Sequence, residues 1–131
     1  MKRLPAFVLI VLMGLAIVAC ARTMPLYNVS SAPVVTRSGG QESTAQVRSA
    51  IIEALQDKGW IVKQDNPGKI VAEVLVRSHM AEIEVDYSAT HYRITYKDSD
   101  NLLYDGSTIH RNYNKWIVLL ERQINQRLNE A

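Results

Sequence analysis

The sequence predicts a two-layer α+β domain: an antiparallel meander sheet with two helices on one face, in the order α-β-β-β-β-α, with an extra N-terminal edge strand as an option. Three observations carry that expectation. Apolar residues recur at helical spacing at either end of the region, between Val47 and Leu55 and between Tyr113 and Leu128. Between these stretches the chain alternates with the two-residue period of half-buried strands. Turn residues interrupt the alternation at intervals that suit hairpins.

The first helix is marked at both ends. Ser43 and Gln46 form a capping-box pattern, Val47, Ala50, Ile51, Ala54 and Leu55 make its apolar stripe, and Gly59 closes it. Trp60, Ile61 and Val62 then begin a strand, and Asp65-Asn66-Pro67-Gly68 reverses it. In the next strand Ile70, Ala72, Val74 and Val76 alternate with Val71, Glu73, Leu75 and Arg77. The strand after that sets Ala81, Ile83, Val85 and Tyr87 against Glu82, Glu84 and Asp86, and the last sets Tyr92, Ile94 and Tyr96 against Arg93, Thr95 and Lys97. Two-residue turns at Ser78-His79 and Ser88-Ala89 would align Val74, Ile83 and Ile94 on one face. The same register would place Glu73 opposite Glu84, with Arg93 on the far side of Glu84. A loop from Lys97 to Asn112 leads to the second helix, whose stripe is Tyr113, Trp116, Ile117, Leu120, Ile124 and Leu128.

Ahead of this region lies a leader. Lys2 and Arg3 form a positive n-region, Leu4 to Val18 an apolar h-region, and the small Ala19 precedes the only cysteine, Cys20. The run is short for a bilayer span, which takes roughly 20 apolar residues. Ile17-Val18-Ala19-Cys20 resembles the bacterial lipobox. The resemblance implies cleavage between Ala19 and Cys20, a diacylglyceryl group on the Cys20 thiol and an acyl chain such as palmitate on the new amino terminus. It also implies an outer-membrane destination, because Ala21 stands where inner-membrane lipoproteins of this type carry Asp. The expected division is therefore a signal peptide at 1–19, a lipidated N-terminus and tether at 20–42, and a periplasmic α+β domain at 43–131. Pro25, Pro33, Gly39 and Gly40 give the tether its composition, and Leu26-Tyr27-Asn28-Val29 is the candidate edge strand.

Composition narrows the function classes. The chain has 15 Lys and Arg against 13 Asp and Glu, and removing Lys2 and Arg3 leaves 13 of each. A neutral exported domain has no net electrostatic case for nucleic acid or for anionic lipid, although its helix-strands-helix order is similar to that of double-stranded RNA-binding domains. With Cys20 lipidated no thiol remains for a disulfide, a metal or a nucleophile.

The candidate sites follow from residue type and placement. Glu73 and Glu84, paired across strands, would suit a hydrolase that shares a proton between carboxylates, but an open sheet face excludes no water, and salt bridging to neighbouring Lys and Arg explains the acidic row equally. His79, His91 and His110 lack metal-ligand spacing, and the topology lets only His79 and His110 approach each other. No cofactor signature is present. The segment from Tyr104 to Trp116 is richer: Tyr104, Asp105, His110, Tyr113 and Asn114 crowd the entry to the second helix and form the candidate binding surface, while Tyr113 also belongs to the helix stripe.

Gly59-Trp60, Pro67-Gly68, Tyr96, Asp98-Ser99, Asn101-Leu102, Ile109-His110, Tyr113-Asn114 and Trp116 give the domain a resemblance to a group of small lipoproteins of Gram-negative bacteria. The resemblance implies location and domain class and brings no reaction with it. The expectation is a non-enzymatic outer-membrane lipoprotein, held to the membrane through Cys20 and binding an envelope protein as an accessory or assembly factor. The alternative is a carrier of a small apolar or glycan ligand held between sheet and helices.

Overall fold

The computed structural model describes residues 21–37, 39 and 43–131. The expected signal peptide, and the expected lipidation site Cys20, lie outside the described residues. The chain runs β1 (Thr23–Pro25), β2 (Val29–Pro33), α1 (Thr44–Asp57), β3 (Ile61–Asn66), β4 (Lys69–Val76), β5 (His79–Tyr87), β6 (His91–Asp100), β7 (Thr108–His110) and α2 (Arg111–Asn129). A five-stranded antiparallel sheet has the order β2-β6-β5-β4-β3, and β1 pairs with β7 in a separate two-stranded ribbon. This is the α+β class that the periodicities predict. No described helix is long and apolar enough to cross a membrane.

Local chemistry explains most element ends. The Ser43 hydroxyl accepts the Gln46 N–H, and the Gln46 side chain reaches back to the Ser43 N–H, so the capping box forms in full. Gly59, at φ +82°, takes the left-handed conformation that ends α1. Pro67 and Gly68 close the β3–β4 hairpin, with Gly68 at φ +77° where a side chain would be strained.

Both remaining hairpins differ from the expected register by two residues. The β4–β5 turn falls at Arg77-Ser78, so Glu73 faces Glu82 and Ala72 faces Ile83. Arg77 adopts the left-handed φ of +58° that Gly usually supplies. At the β5–β6 end Tyr87 pairs with Tyr92. There the Ser88 hydroxyl accepts the N–H groups of Thr90 and His91 while the Ser88 N–H donates to the His91 carbonyl, which builds a longer turn than Ser88-Ala89 alone. A shift of two leaves every side chain on its expected face. The inner face still carries Ile70, Ala72, Val74, Ala81, Ile83, Val85, Tyr92 and Ile94, all buried.

The helices lie antiparallel on that face. Arg127 of α2 donates two hydrogen bonds to Asp57 of α1 at 2.7 and 2.8 Å, and Gln123 adds a third at 2.8 Å. Those bonds, Arg127 first, hold the Asp57 carboxyl below its usual range. Arg48 pairs with Asp65 to fix α1 over β3, and the Tyr92 hydroxyl donates to Asn125 at 2.7 Å to fix α2 over β6. The expected stripe of α2 is buried at Tyr113, Ile117, Leu120, Ile124 and Leu128, with Trp116 packed partly buried against it.

Two segments depart from expectation. Residues 23–33, read as part of the tether, contribute β1 and β2. The edge strand begins at Val29, not Leu26, and pairs with β6. The expected loop from Lys97 is also shorter, since β6 runs on to Asp100 after a bulge at Lys97, and Thr108–His110 forms β7.

Candidate functional site

One end of the domain gathers nearly every candidate residue. The ribbon β1–β7, the first turns of α2, the β4–β5 turn and the loop 101–107 meet there. Asn101 carries two of these links, donating its side-chain amide to the Ser78 hydroxyl at 2.9 Å and accepting the His79 Nδ1–H on its carbonyl at 2.6 Å. The His110 N–H donates to the Leu102 carbonyl at 2.8 Å, which closes the loop onto β7.

His79 and His110 do approach each other, with ring centroids 6.1 Å apart and planes inclined by 29°. His110 acts as the N-cap of α2: its Nδ1 accepts the Asn112 N–H at 3.1 Å, a bond only the neutral ring can accept in this way. Burial, then the charges of His79, Arg111 and Arg22, lower its pKa and favour that neutral form. Among the described residues no group of three or more His, Cys, Asp or Glu is placed to hold a metal.

Asp105 organises its own loop. Its carboxylate accepts the backbone N–H groups of Thr108 and Ser107 and the Thr108 hydroxyl at 2.7 to 2.9 Å. Those bonds, led by the Thr108 N–H, lower its pKa to about 2. Tyr104 is 40% exposed and rests on Tyr96 with centroids 4.2 Å apart. Tyr96 in turn meets the edge of Tyr113 at 5.6 Å.

Tyr113 is fully buried, so it belongs to the core and not to a binding surface. Its hydroxyl finds no hydrogen-bond partner among the described residues, and burial raises its pKa. An orphaned buried hydroxyl costs stability. Tyr113→Phe is therefore expected to leave the urea midpoint unchanged or to raise stability by up to about 1 kcal/mol. A clear loss would mean that the hydroxyl holds a bound water.

Asn114 has the most specific role of the five. Its Oδ1 accepts the Tyr27 N–H at 3.0 Å and its Nδ2 donates to the Pro25 carbonyl at 2.8 Å, so a single amide clasps the backbone that follows β1. The Arg111 N–H donates to the Arg22 carbonyl and the Leu26 N–H to Ser107. The Tyr27 hydroxyl donates to Glu121 at 2.7 Å. The chain is thus bonded to the domain from Arg22 onward. The sequence offers Asn114 as a binding residue; its partner in the structure is the chain's own backbone 87 residues away.

Glu73 and Glu84 are not cross-strand partners. Glu73 faces Glu82, Glu84 faces Thr95, and Arg93 faces Asp86. The acidic residues lie on the open sheet face with Lys63 at 3.9 Å from Glu73, Lys69 at 3.7 Å from Glu84 and Lys97 at 3.3 Å from Glu82.

The space between sheet and helices is filled by one contiguous core. An open groove of about 840 Å³ lies outside it, between the free edge of β2 and the C-terminal half of α2. Ser30, Ser31, Arg122, Asn125 and Asn129 line this groove with polar groups, and the apolar Val35 lies at its rim, 64% exposed. β2 reads Val-Ser-Ser-Ala-Pro and carries no charge, whereas the opposite edge, β3, carries Lys63 and Asp65; both edges are irregular, β2 between Val29 and Ala32 and β3 between Val62 and Gln64. Charge on an edge deters a docking strand, and β2 lacks that defence, although it is short, bulged and ends on Pro33.

Compared with protein-family models, curated proteins and solved structures, the chain matches none.

Proposed function

We propose that the protein is an outer-membrane lipoprotein, anchored through acylated Cys20, whose periplasmic domain binds an extended segment of an envelope protein along the β2 edge. The carrying observation is the groove between β2 and α2. A strand edge with unpaired N–H and C=O groups recognises another backbone by extending the ladder, and the adjoining groove supplies side-chain contacts. Ser30, Ser31 and the amides of α2 give that groove hydrogen-bonding capacity, and its two charged residues, Glu121 and Arg122, are of opposite sign, in keeping with a neutral domain. The leader supports the anchor: a positive n-region, an apolar run and a lipobox-like Ile17-Val18-Ala19-Cys20 precede the domain directly. Asp105, His110, Tyr113 and Asn114 are engaged within the fold, which favours the β2 edge as the partner contact.

Two readouts in intact cells test this. A palmitate analogue should label the wild type and not Cys20→Ser, and only the wild type should fractionate with the outer membrane. A photo-crosslinker at Ser31 should give a discrete protein adduct that a crosslinker at Thr95, on the outer sheet face, does not. An unlabelled, soluble wild type would refute the anchor; equal or absent adducts at the two positions would refute the binding edge.

A further inference from the structure

The surface around the N-terminal ribbon is not used by the β2 groove, and it exposes three large apolar side chains. Met24 is 49% exposed, Leu103 56% and Tyr104 40%. Leu103 sits at φ +57°, a left-handed conformation that is costly for a side chain of its type, and it follows the fully buried Leu102. The loop thus spends backbone strain while leaving a leucine in solvent. Arg22, Arg77 and Arg111 are exposed at the same end, and among the described residues none of them is in an ion pair. Of the neighbouring carboxylates, Asp105 is engaged by its own loop, and Asp100 ends β6 opposite Met80.

The position of the chain end decides what covers this surface. The Arg22 carbonyl accepts the Arg111 N–H at 2.8 Å, so Ala21 alone separates the folded domain from Cys20. Two residue steps reach at most about 7 Å. An acylated Cys20 sits at the boundary between acyl chains and headgroups, and the polar zone on each side of a bilayer is itself only about 5–8 Å deep. The ribbon end therefore has no slack with which to stand clear of the membrane.

We infer that this end of the domain rests on the bilayer, with Met24, Leu103 and Tyr104 at interfacial depth and Arg22, Arg77 and Arg111 at the level of anionic headgroups. The inference rests on the acylation of Cys20 in the proposed function. Its chemistry is that of interfacial binding: leucine and methionine enter the acyl boundary, tyrosine prefers the headgroup level, and arginines pair with phosphates. One consequence is orientation. The β3–β4 turn at Pro67-Gly68, at the opposite end of the sheet, points away from the membrane, and the β2 edge stands across it, open to the periplasm.

The test uses the lipidated full chain in vesicles of phosphatidylethanolamine and phosphatidylglycerol. Acylation blocks the Cys20 thiol, so Leu103→Cys and Asn66→Cys each present one thiol for an environment-sensitive fluorophore. The expected result is a blue-shifted emission at position 103 that loses most of its intensity when the lipids carry bromine, and a water-like, unquenched emission at position 66. If the protein is vesicle-bound with one label per chain, yet the label at 103 is as solvated as that at 66, the docking is wrong and the anchor stands; the face is then free for a protein. If two labels attach per chain and the protein does not stay with the vesicles, the Cys20 thiol is free, and the anchor and the docking fall together.

Discussion

Ile83→Ala is expected to lower the unfolding free energy by about 3–5 kcal/mol, in the upper part of the range for buried aliphatic truncations. Ile83 is fully buried on β5, the middle strand of the sheet, where it faces Ala72 on β4 and Tyr96 on β6. Ala72 and Ala81, also fully buried, have no side-chain length with which to refill the space. The cavity left by the substitution should therefore persist, and the cost is the lost transfer free energy plus the lost packing. Ile83→Val, which removes a single methylene, should cost about 0.5–1.5 kcal/mol. Urea unfolding of the two variants, with unchanged slopes, checks both values. A cost below about 1 kcal/mol for the alanine variant would mean that the sheet-helix interface is loosely packed.

Asn114→Ala is the second large effect, and it is local. The substitution removes two hydrogen bonds and leaves the Tyr27 N–H and the Pro25 carbonyl without protein partners. Both groups are near solvent, so water replaces part of the loss, and the expected cost is about 1–2 kcal/mol. The rest of the domain should keep its stability gradient, while the segment 23–27 opens far more readily. The measurement is amide exchange: the Leu26 and Tyr27 amides should lose protection in Asn114→Ala, with those of β4 and β5 unchanged. Uniform loss of protection would mean that Asn114 supports the whole fold and not the ribbon.

The faces of the sheet were legible because alternation survives any even shift of register. Glu73, Glu82 and Glu84 point outward, and Ala72 and Ile83 inward, whether Glu73 faces Glu84 or Glu82. The register itself depends on turn geometry. Arg77 turns the chain in a left-handed conformation with no glycine to announce it, and Ser88 lengthens the next turn through its own hydroxyl. The helices were legible through their stripes and through the Ser43–Gln46 cap, which are local signals. The ribbon was not. A three-residue strand carries too little pattern to be recognised, and its partner lies on the far side of the domain in sequence. Turn-like Pro25 and Pro33 made 20–42 look like a tether, yet Pro33 closes an edge strand, where a missing N–H costs little. For the site, residue type drew attention to the segment 104–116, where the structure gives four of the five residues roles within the fold: His110 caps, Asp105 ties a loop, Tyr113 fills the core and Asn114 clasps the N-terminal chain.

That clasp fixes the N-terminal chain to the domain, and a domain bonded to its chain from Arg22 onward is held close to whatever holds Cys20. The most direct measurement is hydrogen exchange at the Leu26, Tyr27 and Arg111 amides of the wild type. Exchange is expected to be slowed by at least about tenfold relative to unstructured chain, equivalent to about 1.4 kcal/mol of local stability. Exchange at the unstructured rate at all three amides would make residues 21–27 a free tether, and would remove the basis for a fixed orientation at the membrane.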